Sequence, residues 1–232
     1  MRFFCLDVRS LRTPLVAFVP ALAWCGLAQA APPPNITPTE TSLLPAYCRD
    51  TQTWPNGNPG GMERGKAIYG EVFWHFHHYC YAMVWMMRAD KATNSAMERR
   101  GNLAGAVDDI DYVLKYIGPD YFLLPEMLTR KGRVLRMQER YREAIDVLRQ
   151  AADQDPTYWR AYLELANTYE AAGDRKQAIG ALREGLVHSP ESKGLKFSLT
   201  DLEGNTAEAS KRAEPGKPGQ KTVQVRSGAS QP

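Results

Sequence analysis

The sequence predicts an all-α array of helix–turn–helix repeats. Three observations carry that prediction. The chain resembles itself at a spacing of 34 residues between Pro125 and Pro190, its apolar residues there recur at helical intervals, and a proline closes each unit. The composition, 44% hydrophobic and 24% charged over 232 residues, excludes a collagen, a membrane bundle or a wholly disordered chain.

Taken in order, residues 1–30 read as an export signal. Arg2, Arg9 and Arg12 precede an apolar run from Leu15 to Leu27 that ends in Ala28-Gln29-Ala30; a secretory leader has this charged start, apolar middle and small-residue cleavage site. At about 1.5 Å per helical residue, the run falls short of a roughly 30 Å hydrocarbon core. Cleavage after Ala30 is therefore expected, giving a periplasmic or secreted mature chain with no transmembrane segment. A lipid anchor at Cys25 is the alternative, although Trp24 stands where such a signal wants a small residue. Removing Arg2, Arg9, Arg12 and Asp7 reduces 29 basic and 26 acidic residues to 26 and 25. So balanced a chain offers no field for nucleic acid or anionic lipid.

Of the four cysteines, Cys48 and Cys80 survive this cut, and an exported chain with two cysteines suggests one disulfide. It would close a loop of about thirty residues and stabilise by about 3 kcal/mol. Two buried free thiols are the alternative. No Cys-x-x-Cys is present, so neither a redox motif nor a covalent haem site is indicated. Between residues 31 and 61 seven prolines and three glycines predict an irregular arm.

Helices are expected over 62–89, 94–117, 123–137, 141–153, 158–171, 175–187 and 191–201. Tyr162, Leu165, Ala166, Tyr169, Ala178, Ile179, Leu182 and Pro190 lie 34 residues after Leu128, Lys131, Gly132, Leu135, Ala144, Ile145, Leu148 and Pro156. Large apolar residues mark the buried stripe, and Gly132 and Ala166 let a paired helix approach. Each proline ends a second helix. Lys131 is the odd member; its stem can cover the site while its ammonium reaches water. A divergent unit over 62–122 imitates the pattern with Tyr81, Ala82 and Trp85, then Ala106, Val107 and Ile110. About twelve residues around Asp90 to Gly101 are extra. Leu195 and Leu199 give the last helix one apolar stripe. From residue 203 to 232 the chain is rich in Gly, Ser, Lys and Pro, and a disordered tail is expected.

Two clusters invite chemistry. Three of the four histidines, His75, His77 and His78, sit in Trp74-His75-Phe76-His77-His78-Tyr79-Cys80, and imidazole suits zinc or copper. On one helix His75 and His78 share a face while His77 points elsewhere, so an aromatic core helix with hydrogen-bonded histidines is the stronger reading. Asp108, Asp109 and Asp111 crowd one helix and could suggest a carboxylate pair. Asp108 and Asp111 share a face beside the apolar Val107, Ile110 and Leu114, however, and a solvated face is the stronger reading. With no phosphate loop, nucleophile elbow or zinc-protease helix, the expectation is a protein that is not an enzyme and needs no cofactor.

The 34-residue pattern resembles the tetratricopeptide repeat. Units 125–158 and 159–192, the divergent unit and the capping helix then form a repeat domain over 62–202. The resemblance implies a right-handed superhelical array whose first helices line a concave groove for a partner peptide or helix. In this sequence that face carries Arg160, Leu163, Asn167 and Glu170 in the last unit and Glu126, Thr129, Arg133 and Arg136 in the middle one. The divergent unit supplies Phe76, Tyr79, Met83 and Met86. Family members that clamp a C-terminal carboxylate use Lys, Arg and Asn there, with Arg133 standing here where they place Asn. As a whole the chain is similar to exported bacterial tetratricopeptide proteins with a His-His-Tyr-Cys run before their repeats. The implied role is an envelope-associated scaffold for protein partners, with a metal-carrying module on the histidine cluster as the alternative.

Overall fold

The structure is a computed structural model that describes residue 33 and residues 35–52, 58–91 and 95–213, with side chains as far as residue 204. The expected export signal, with Cys25, and the tail beyond residue 213 lie outside the described residues. Among those described, all regular structure is helical: α1 Pro38–Ser42, α2 Gly61–Tyr69, α3 Phe76–Ala89, α4 Ala96–Leu114, α5 Leu124–Met137, α6 Tyr141–Gln154, α7 Trp159–Ala171, α8 Arg175–His188 and α9 Lys193–Ala213. No helix among them is long and apolar enough to cross a membrane.

Helices α5 to α8 form two antiparallel pairs, and α7 also packs on α5 and α9. The 34-residue repeat is written into the backbone. Arg140 N–H donates to Leu135 at 2.9 Å and Asp174 N–H donates to Tyr169 at 2.8 Å. Glu139, with φ of 63°, occupies the same left-handed position as Gly173, with φ of 82°. Gly132 packs so tightly on α6 that a β-carbon would lie 2.4 Å from Leu148. Leu148, Leu165, Leu182 and Leu195 are fully buried in one continuous core. Lys131 spans the rim of this core, its Nζ 2.7 Å from Asp111.

The first unit departs from the regular ones in three places. The helix expected over 62–89 is broken, because Gly70 has φ of 79° and ends α2; a 3-10 turn over Glu71–His75 then leads into α3. Only glycine adopts that backbone without strain. Second, most of the extra residues lengthen α4, which starts ten residues before Ala106, whereas α8 starts three before Ala178. Ser95 and Glu98 form a capping box that fixes this early start. Third, the arm is not irregular throughout. Thr37 and Glu40 cap α1 reciprocally, and a 3-10 turn spans Ala46–Asp50.

At the other end, α9 continues to Ala213, so the tail expected from residue 203 is helical in its first part. The stretch Asn205–Ala213 contains no Gly or Pro and is rich in Ala, Glu, Lys and Arg, good helix formers. Arg183 on α8 also pairs with Glu203 at 2.7 Å.

Candidate functional site

Helix α5 lies between α3 and α7, and its spacing puts Glu126, Thr129, Arg130, Arg133 and Arg136 on one face. Toward α3, Arg130 is held over the Tyr79 ring at 5.8 Å and by two contacts to Glu126, near 3.0 and 3.1 Å. The Tyr79 hydroxyl donates to the same Glu126 oxygen at 3.1 Å. Burial alone would ease the proton off Arg130, but the neighbouring Tyr79 and Glu126 raise its pKa above the usual range, so it stays charged. Tyr79 is fully buried, and burial pushes its hydroxyl far above the usual range.

Phe76, Tyr79, Met83 and Met86, expected on an open groove, are buried. The arm covers this part of the face. Cys48 and Cys80 are joined, with Cα atoms 5.8 Å apart and a separation of 32 residues. Next to the disulfide, Tyr47 packs edge-on against Tyr69 and Phe76 and parallel to Tyr79, at centroid distances of 5.4 to 6.5 Å. At the arm's other end Glu40 accepts from Arg88 Nε at 2.8 Å and from the same guanidinium at 3.1 Å. Those bonds from Arg88 outweigh burial and hold the Glu40 carboxyl at about 2.

Toward α7 the face remains open. A cleft of about 240 Å³ is lined by Thr129, Arg130 and Arg133 from α5, and by Tyr158, Trp159, Arg160, Leu163 and Glu164 around the start of α7. Arg160 is exposed and lies 4.5 Å over the Trp159 ring. Of the cations, Arg133 reaches Asp90 at 3.2 Å and Arg136 reaches Glu164 at 3.1 Å, each through one terminal nitrogen. Four buried side-chain atoms lack any partner among the described residues: Tyr47 Oη, Thr129 Oγ1, Arg133 Nε and Arg136 Nε. All four can donate a hydrogen bond, and three belong to this face of α5.

The structure thus brings Arg133, Arg160 and Leu163 to one cleft. Arg136, Asn167 and Glu170 are not among its lining residues, and Arg136 is engaged with Glu164. Sequence reasoning passed over Arg130, Tyr158 and Trp159. The run Tyr158-Trp159-Arg160 at a helix start, which sets two half-buried rings beside an exposed cation, was the available signal.

The three histidines do not form one ligand set, although His77, expected to point elsewhere, brings its ring to 4.4 Å from that of His78. His75 Nδ1 lies 3.1 Å from the Tyr112 hydroxyl, with its ring stacked on Tyr116 at 3.7 Å. His77 Nδ1 lies 3.0 Å from the Trp74 carbonyl and 3.3 Å from Gln52. Burial, then the neighbouring His78, lower its pKa to about 4. His78 donates to Asp109 at 2.6 Å, and Trp85 Nε1 donates to the other oxygen at 3.1 Å. Asp109 is therefore not on a solvated face: it is fully buried, as the polar centre between α3 and α4. Burial raises its carboxyl, and the His78 and Trp85 bonds pull it back. Among the described residues no three such side chains gather as metal ligands.

The family model of the tetratricopeptide repeat matches residues 135–193, from the end of α5 to the first residue of α9. A search of curated proteins finds no match to the chain.

Proposed function

We propose that this chain, a tetratricopeptide-repeat protein, is a non-enzymatic scaffold of the cell envelope that holds an extended partner segment in the groove along α5 and α7. The observation that carries the reading is the set of partnerless buried donors on the α5 face, Thr129 Oγ1 with the Nε atoms of Arg133 and Arg136. Buried polar groups in native proteins nearly always find a partner. Two of the three, on Thr129 and Arg133, belong to residues that line an open cleft with the exposed Arg160 and two aromatic rings. An acceptor-rich ligand, such as the carbonyls and carboxylates of an extended peptide, completes that set. Hydrogen bonds between a charged group and its partner are stronger than neutral ones.

The envelope address is supported by two features. One is the leader-like sequence of residues 1–30; the other is the Cys48–Cys80 bond, which persists in oxidising compartments. N-terminal sequencing of protein from its native host tests the address and should find Ala31 first.

The binding reading is tested by crosslinked capture from the native envelope, wild type against variants. Arg133→Ala with Arg160→Ala should weaken capture, since an arginine lost from a desolvated contact costs about 2 kcal/mol or more. His75→Ala with His77→Ala should leave it nearly intact. Silent arginines alongside histidines that abolish capture would move the site to the first unit.

A further inference from the structure

We propose that the N-terminal arm builds a second, apolar subsite beside the cationic cleft, and that this subsite takes a bulky apolar side chain of the same extended peptide. The proposal rests on the groove reading above. Between its two fastenings, the Glu40–Arg88 ion pair and the Cys48–Cys80 bond, the arm lays Leu43, Leu44 and Pro45 along one wall of a cleft of about 340 Å³. Met83, Met86 and Met87 of α3 form its floor, and Asp90, paired with Arg133, and Arg130 close its far side. Leu44 is buried, but Leu43 is 69% exposed in a stretch fixed on both sides. A large aliphatic group held out at the rim, on the side of the cleft that the arm and the methionines make apolar, lacks only the surface that would cover it. Methionine floors suit a guest side chain because their unbranched thioethers repack around different shapes.

What identifies the guest is continuity. Arg130 and Arg133 line this cleft and also the one between α5 and α7. A peptide whose acceptors engage Arg133 and Arg160 therefore continues directly onto the methionine floor. The apolar side chain then lies some residues from an acidic group, and the arm supplies a wall that no repeat helix provides. Because that wall is fastened by a disulfide, the apolar preference depends on the oxidised state of the chain.

Fluorescein-labelled peptides that carry a phenylalanine one to four alanines before a C-terminal aspartate provide the probe, each with an alanine counterpart. Fluorescence anisotropy on the oxidised mature protein should show a phenylalanine member binding about tenfold tighter than its counterpart, the scale of burying one such side chain. Leu43→Asp, and separately Cys48→Ala with Cys80→Ala, should erase the preference while leaving the weaker binding. Arg160 lines the cleft between α5 and α7 and not the subsite, so Arg160→Ala should weaken both peptides alike. Arginine-dependent binding with no phenylalanine preference, or a preference untouched by Leu43→Asp, overturns the subsite and leaves the groove reading standing. Failure of every peptide to bind removes both. A dimer that Leu43→Asp dissociates would assign the cleft to a second copy of the chain and likewise overturn the proposal.

Discussion

From α5 to α8 the fully buried positions are held mostly by leucine and alanine, and the close contacts of one unit recur in the next 34 residues later. From the arm to α4 the aliphatic core is joined by aromatic rings and methionines, with a disulfide and a carboxylate bonded to an imidazole and an indole. The regular region is stabilised by packing that neighbouring units share. The first unit is instead tied by individual links between residues far apart in sequence. Its loss of regularity goes with its place in the fold: it carries the arm, which covers the α3 end of the face that α5 presents.

The largest expected effect lies in the first unit. Asp109→Ala leaves His78 and Trp85 with unmet donors in the core and should cost about 4 kcal/mol, read as a lower denaturant midpoint. Asp108→Ala, one residue away and on the exposed side of α4, should be nearly silent. Equal effects would show that the buried cluster is not what joins α3 to α4. Next in size, Cys48→Ala with Cys80→Ala should cost about 3 kcal/mol. Hydrogen exchange should localise the loosening to residues 35–52 and spare α5 to α8; faster exchange throughout would mean that the two regions share one cooperative core.

A smaller effect is expected from acid. Glu40 titrates at about 2 when folded, against 4.5 for an unperturbed group. Its contribution is fully present above pH 4.5 and is lost as pH falls through about 2. The arm should therefore loosen over that window, and Glu40→Gln should remove the step. The smallest change is a gain. Glu139 occupies the left-handed position that Gly173 fills one unit later, so Glu139→Gly should stabilise the middle unit by about 1 kcal/mol. No gain would mean that Glu139 makes compensating contacts its glycine counterpart does not need.

The same contrast explains what could be read from sequence. Two exact copies of a spacing located α5 to α8 to within a residue or two, because Leu148 and Leu182, or Gly132 and Ala166, answer the same local packing problem. The disulfide was legible for a different reason, since reading residues 1–30 as an export signal leaves only two cysteines to pair. Asp109 was not legible. It stands between Asp108 and Asp111 in a run that looks solvated, and its burial is settled by His78 and Trp85 on another helix. The capping boxes at Thr37 and Ser95 stand in the sequence as Thr-x-x-Glu and Ser-x-x-Glu, a local signal for the starts of α1 and α4. On the α5 and α7 face Arg133, Arg136 and Arg160 were found and Arg130 was not. That Arg133 and Arg136 would be half-engaged by Asp90 and Glu164 depends on partners 43 and 28 residues away.

The covalent tie between Cys48 and Cys80 also fixes how the molecule responds to load. Tension applied at the N-terminus enters the body at α3, because the 32-residue separation that the bond closes cannot be drawn out. At about 3.5 Å per extended residue, roughly 110 Å of contour length is withheld from any stretching experiment. Under a reducing agent that length is released as one additional step, while the repeats from α5 onward lengthen equally in either state.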